Sequence, residues 1–168
     1  MKERQHPSCI SPEALLHECQ ISRTKSGGPG GQHRNKVESA VVITHCSGVS
    51  GQASERRSQH ENRKVAVARL RINLALAVRS DHQIEKPSDL WNQRCRGQKI
   101  SISPNHEEFP CILAEALDFI AQSNFQIATA ASKLNCSTSQ LIKLIKLEVL
   151  AFQMVNEQRK KLGLSLLK

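Results

Sequence analysis

The sequence predicts an α+β fold: a small β-sheet packed by one long helix, followed by a separate α-helical module. Three observations predict it. Residues 19–24 alternate apolar and polar, and Val41-Val42-Ile43-Thr44 is the strongest β-branched run in the chain, so strands belong there. Between Gln59 and Val78, Val67, Leu70, Leu74 and Ala77 recur at helical spacing, with Arg63, Arg69 and Arg71 elsewhere around the cylinder. Beyond Pro110 the pattern is helical throughout. The 168 residues have room for one compact domain or two small modules.

Taken in order, Ser11-Pro12-Glu13 opens a short helix that ends near Glu18. It offers a capping hydroxyl, proline at the first helical position and an acid at the positive helix end. A strand over Cys19–Thr24 leads into Ser-Gly-Gly-Pro-Gly-Gly-Gln at Ser26–Gln32. A second strand spans Val37–Cys46, with Ser47-Gly48 as a hairpin turn. The returning segment, Val49–Ser54, is mostly Ser, Gly, Gln and Ala and is a poor strand on propensity. Ser58 and Glu61 then form a capping box for the long helix. Residues 80–110 carry Pro87, Pro104 and Pro110 and read as a connector, with one short helix around Trp91 at Ser88–Arg96. Helices follow at Cys111–Gln122, Gln126–Leu134 and Thr138–Leu162; Ser137 with Gln140 forms a second capping box and Gly163 is the stop. The domain reading is 11–79, a connector at 80–110, and a helical module at 111–168.

Charge narrows the function. The net charge is +9, and residues 1–79 hold 13 Lys/Arg against 6 Asp/Glu, or +7, leaving +2 for the remainder. Such a basic half favours a nucleic-acid partner. No Tyr is present and aromatics make up 3%, which argues against a base-stacking platform. The six cysteines contain no Cys-x2-Cys pair, and His17/Cys19 and His45/Cys46 stand as isolated near-pairs, so buried thiols in a reducing cytosol are expected and no metal site. No apolar run approaches the length of a membrane span, and the N-terminus has no apolar signal region or Arg-rich presequence, so a soluble, cytoplasmic protein is expected.

The glycine loop is the candidate functional element. Gly27, Gly28, Gly30 and Gly31 let the backbone approach another surface closely, and Pro29 stiffens the run. Arg23, Lys25, Arg34 and Lys36 flank it, and no acid occurs from Ser22 to Val37. A flexible linker has glycines too, but lacks this strand-to-strand context. The order strand, Ser26–Lys36 with Asn35-Lys36, the strand carrying Thr44-His45, then Arg57-Ser58-Gln59 and Asn62 opening a helix resembles the catalytic domain of peptide chain release factors and their short ribosome-rescue relatives. The resemblance covers residues 15–79.

The resemblance implies hydrolysis of the ester joining a nascent peptide to tRNA, in the peptidyl transferase centre of the large ribosomal subunit. Gly30, Gly31 and Gln32 would be catalytic: the Gln32 backbone N–H stabilises developing negative charge, and its side chain confines the attacking water. Ser26, Gly27, Gly28, Pro29 and Asn35 would support the loop. Arg23, Lys25, Arg34, Lys36, Arg57, Ser58, Gln59, Asn62 and Arg63 would contact rRNA and tRNA, although any one arginine can equally be a solvated helix face. It further implies no cofactor, and a glutamine methyltransferase acting on Gln32 as a partner. Residues 45–57 depart from the family in lacking its usual turn and apolar return strand. Nothing resembles a codon-reading domain, which implies codon-independent rescue. In the second half, Ala130-Ala131, Leu134, Asn135, Leu141 and Leu144 resemble a helix-turn-helix, with Lys143 and Lys146 on its second helix; an ordinary helical hairpin gives the same pattern. A non-catalytic RNA-binding protein is the alternative function.

Overall fold

Strands β1 (Cys19–Thr24), β2 (Ala40–His45) and β3 (Ser50–Ala53) form an antiparallel sheet in that order, in a computed structural model that describes residues 5–24, 40–80 and 83–168. Contacts divide the chain into two units, Met1–Ala77 and Val78–Lys168. In the first, a short helix, α1 (Pro12–His17), precedes the sheet and is capped by the Ser11 hydroxyl, which accepts from Ala14 N at 3.3 Å. The long helix α2 (Gln59–Ala77) follows it.

Alternation puts Cys19, Ile21 and Arg23 on one face with their partners His45, Ile43 and Val41, and Gly51 and Ala53 extend that face across β3. Helix α2 packs here through Ala66, Val67, Leu70 and Leu74, and Val41, Ile43 and Ala53 are buried beneath it. Ala77, expected in this stripe, is exposed because it is the helix's last residue.

Strand β3 forms despite its composition, and tertiary contacts explain why. A Cβ on Gly51 would lie 2.3 Å from Ala66 O and 2.4 Å from Leu70 N, so glycine is what lets the strand and helix backbones meet. From α2, Asn73 Nδ2 donates to Ser50 O at 2.8 Å and Arg69 Nη1 to Gln52 O at 2.8 Å. Arg69 also pairs with Glu55 at 2.6 Å; hydrogen bonds from the Ser54 and Glu55 backbone, then Arg69, hold the Glu55 carboxyl below its ordinary range.

In the second unit, α3 (Asp89–Arg94) and a two-stranded hairpin, β4 (Cys95–Arg96) and β5 (Lys99–Ile100), occupy the stretch read as a connector. The hairpin turns through Gly97 (φ 55°) and Gln98 (φ 66°), the paired positive angles of a tight two-residue turn. Helix α4 (Phe109–Gln122) forms the core of the unit, burying Phe109, Ile112, Leu113, Leu117, Phe119 and Ile120. Asp118 is buried and accepts from Arg79 Nη1 at 3.0 Å and Ser80 Oγ at 2.5 Å. Trp91, also buried, donates its indole N–H to Leu134 O at 2.8 Å.

Helices α5 (Ile127–Lys133) and α6 (Thr138–Lys146) are joined through Asn135 at φ 53°. Ser137 caps α6 by accepting from Gln140 N at 3.3 Å, but Gln140 does not close the box: its Oε1 accepts from Ile100 N. The helix expected over Thr138–Leu162 is two. Glu148 takes an extended conformation (φ −118°, ψ 108°), and its carboxylate caps α7 (Val149–Lys161) at Leu150 N. Gly163 (φ 69°) ends α7. The free thiols are Cys19, Cys46, Cys95 and Cys136, and only Cys136 of these is buried, so the expectation of six buried thiols does not hold. Burial, with Cys95 nearby, pushes the Cys136 thiol up to about 12. Among the described residues no helix is long and apolar enough to cross a membrane.

Candidate functional site

The β1–β2 register runs to Thr24↔Ala40, so segment 25–39 leaves and re-enters the sheet at neighbouring strand ends. That segment holds the whole glycine loop and its inner basic flanks: Lys25, Ser26, Gly27, Gly28, Pro29, Gly30, Gly31, Gln32, Arg34, Asn35 and Lys36 lie outside the described residues. What the structure describes is the platform from which they spring.

Helix α2 covers β2 and β3 but leaves β1's part of the shared face open: Ile21 is 41% exposed, and Arg23 is exposed beside it. Between β1 and the first turns of α2 lies a cleft of about 260 Å³, lined by Ile21, Arg23, Val41, Gln59, His60 and Arg63. Three residues expected to touch RNA, Arg23, Gln59 and Arg63, therefore meet in one place. None of the lining residues is acidic. The arrangement offers two guanidinium groups, an imidazole and an amide around an apolar floor, which suits phosphate and sugar contacts. Ile21 and His60 were not anticipated; a β1 residue facing the helix side yet lying beyond the helix gives no signal in local sequence.

Asn62 requires a correction. Its side chain is fully buried, with Oδ1 accepting from Arg56 N and Nδ2 donating to Arg56 O, both at 2.9 Å. The amide replaces a β-ladder partner for the residue leaving β3, so it positions the 54–58 segment and has no reach to RNA. Arg57 and Ser58 are exposed on the segment it holds, and Ser58 Oγ accepts from Glu61 N at 3.4 Å at the start of α2. Arg56, Arg57, Arg63 and Lys64 crowd this helix end on its exposed side.

The second unit has its own basic cleft of about 450 Å³, whose lining includes Arg94, Lys99, Ser101, Ser103, Gln140 and Lys143. Arg94 is already paired with Glu108 at 2.6 Å. Lys143 and Lys146 are exposed on α6, and the Lys146 ammonium lies 5.3 Å from the Phe152 ring centroid.

Comparison with known proteins agrees with the platform. A family model described as the RF-1 domain matches residues 12–108. The chain is similar to peptide chain release factor 1 of Dictyoglomus turgidum, 44% identical over 86 residues that make up 51% of this chain and 22% of that protein. It is also similar to peptide chain release factor 1 of Blochmanniella floridana (38% over 81 residues, 47% and 23%) and peptide chain release factor 2 of Variovorax paradoxus (38% over 84 residues, 49% and 21%). The chain thus spans between a fifth and a quarter of the length of these relatives. No solved structure matches it.

Proposed function

We propose, starting from the fact that this chain belongs to the RF-1 domain family, that it hydrolyses the ester of peptidyl-tRNA in the peptidyl transferase centre of the large ribosomal subunit. The reaction frees nascent chains from stalled ribosomes without reading a codon. The observation that carries this reading is the placement of segment 25–39, with its Gly30-Gly31-Gln32, between adjacent strand ends beside the Arg23/Arg63 cleft.

Water attacks the ester carbonyl, and negative charge develops on the carbonyl oxygen and on the departing ribose hydroxyl. A carboxamide has no useful proton to exchange near neutrality, so Gln32 acts by placement: its backbone N–H stabilises the developing charge and its side chain confines the water. Gly30 and Gly31 leave room for that backbone to approach. Arg23, Arg57 and Arg63, with Lys25, Arg34 and Lys36, bind rRNA and tRNA phosphates, while Ser58 and Gln59 supply neutral contacts. A glutamine methyltransferase acting on Gln32 is the expected modifying partner, and the cytoplasm the site of action.

The test incubates the protein with ribosomes carrying labelled peptidyl-tRNA on an mRNA without a stop codon, comparing wild type with Gly31→Ala for both release and binding. Loss of one oxyanion donor costs about 2.7–4 kcal/mol in other acyl-transfer enzymes, so release is expected to fall about 100- to 1,000-fold with binding retained. Binding without release by wild type, on intact ribosomes and on separated large subunits, would overturn the reading. That outcome would favour the non-catalytic alternative, for which the left-handed Asn135 between α5 and α6 and the exposed Lys143 and Lys146 are the supporting features.

A further inference from the structure

At the far end of the sheet from the glycine loop, about 17 Å along the strands at ~3.3 Å per residue, three donors of different elements converge. Glu18 leads into β1, His45 ends β2, and Cys46 opens the turn to β3. Their ligand atoms all lie within 4.8 Å of one another. His45 Nε2 is 3.2 Å from Glu18 Oε2 and 3.6 Å from Cys46 Sγ.

We propose that Glu18, His45 and Cys46 form a binding site for a divalent ion of borderline softness, Zn²⁺ above all, with a fourth position left to water. The distances support it. Tetrahedral zinc, with bonds of about 2.0–2.1 Å to nitrogen or oxygen and about 2.3 Å to sulfur, sets ligand edges of about 3.3 Å for N···O and about 3.5 Å for N···S. An N···O contact near 3.2 Å is also an ordinary ion pair. The sulfur drawn to the same imidazole nitrogen is what an ion pair does not require.

The donor set is mixed N, S and O, which zinc accepts readily. His45 is buried and its ring is held from behind, with Nδ1 2.8 Å from Ser47 Oγ, the kind of outer contact that fixes the orientation of a metal-bound imidazole. Backbone pairing holds the other two together: Cys46 N donates to Glu18 O at 3.0 Å. Cys19 is near but points elsewhere, donating its thiol to Leu15 O at 3.1 Å, so it is not assigned as a ligand. On binding, the Cys46 thiol loses its proton to solvent. The neutral His45 ring carries its single proton on Nδ1, toward Ser47 Oγ, and Nε2 donates its lone pair to the ion. The ion would tie the start of β1 to the β2–β3 turn, which owes nothing to the hydrolytic loop.

The experiment titrates the reduced full-length protein with Co²⁺ alone and then displaces it with Zn²⁺. Wild type is expected to bind one equivalent of Co²⁺ with a sulfur-to-cobalt charge-transfer band and tetrahedral visible bands, both lost as Zn²⁺ is added. Cys46 is exposed, so Cys46→Ser is expected to keep its far-UV spectrum while losing the charge-transfer band and weakening affinity at least about 100-fold. Glu18→Gln should weaken binding and keep the band. Cys95→Ser, in the other unit, should behave as wild type. Absence of saturable binding, a Cys46→Ser variant that binds as wild type does, or an equal loss in Cys95→Ser would overturn the site.

Discussion

Gly51→Ala puts the contact between β3 and α2 to the test. A methyl group there would sit 2.3 Å from Ala66 O, 2.4 Å from Leu70 N and 2.8 Å from Leu70 Cα. All three obstacles are backbone, so no side chain can rotate aside. Reaching ordinary van der Waals separation requires the strand and helix to part by about 1 Å, and that motion also stretches the Arg69–Gln52 and Asn73–Ser50 hydrogen bonds. Overpacking costs about 1–3 kcal/mol where neighbours can yield, and here the upper end, about 3 kcal/mol, is expected. A domain of this size has only about 4–11 kcal/mol to lose. Urea unfolding followed by far-UV circular dichroism, with amide hydrogen exchange resolved over α2 and β3, measures the effect. A loss below about 0.5 kcal/mol, within the range of neutral surface substitutions, would refute the close-approach argument.

Asn62→Ala leaves the Arg56 N–H and C=O without their side-chain partner, and a loss of about 2–3 kcal/mol in thermal or urea unfolding is expected. Glu115 is displaced upward, mainly by burial; hydrogen bonds from Ser88 oppose this and Asp118 adds to it. A carboxyl whose folded pKa is raised binds more protons folded than unfolded, so its contribution to stability falls as pH rises from the ordinary 4.5 through the raised value. The difference between wild type and Glu115→Gln in urea midpoint should therefore shift in favour of the variant between pH 4.5 and pH 7; a constant difference would contradict it. Under the proposed function, Arg63→Ala should weaken large-subunit binding and reduce the slope of log affinity against log salt by about 1, measured by sedimentation across a KCl series.

How legible the fold was depended on whether its causes are local. Ser11, Ser58 and Ser137 sit where the capping signals put them, and Asn135 takes the left-handed position at the α5–α6 turn, because each acts within a few residues of itself. Strand β3 was invisible to propensity because what makes it a strand is Gly51 beneath Ala66 and two α2 side chains reaching its carbonyls. The break between α6 and α7 carries neither Gly nor Pro; Glu148 serves as an N-cap, a use of glutamate that composition does not announce. Around the candidate site, Arg23 and Arg63 were legible as charge, but the open part of the sheet face that unites them follows from where α2 lies. His45 and Glu18 are 27 residues apart, which is why two unremarkable near-pairs gave no hint of a shared cluster.

The two α2 side chains on β3 also bear on how the protein keeps to itself. Val49 O accepts from His45 N, so alternation turns Ser50 O and Gln52 O away from β2, toward the sheet's outer edge. Those carbonyls are what an intruding strand would need in order to add to the sheet. With Asn73 and Arg69 already bound to them, β3 has no acceptor row to offer a neighbouring chain. A sheet of three short strands is thereby closed on one side to strand-by-strand polymerisation, and the helix that supplies its core packing also guards it against self-assembly.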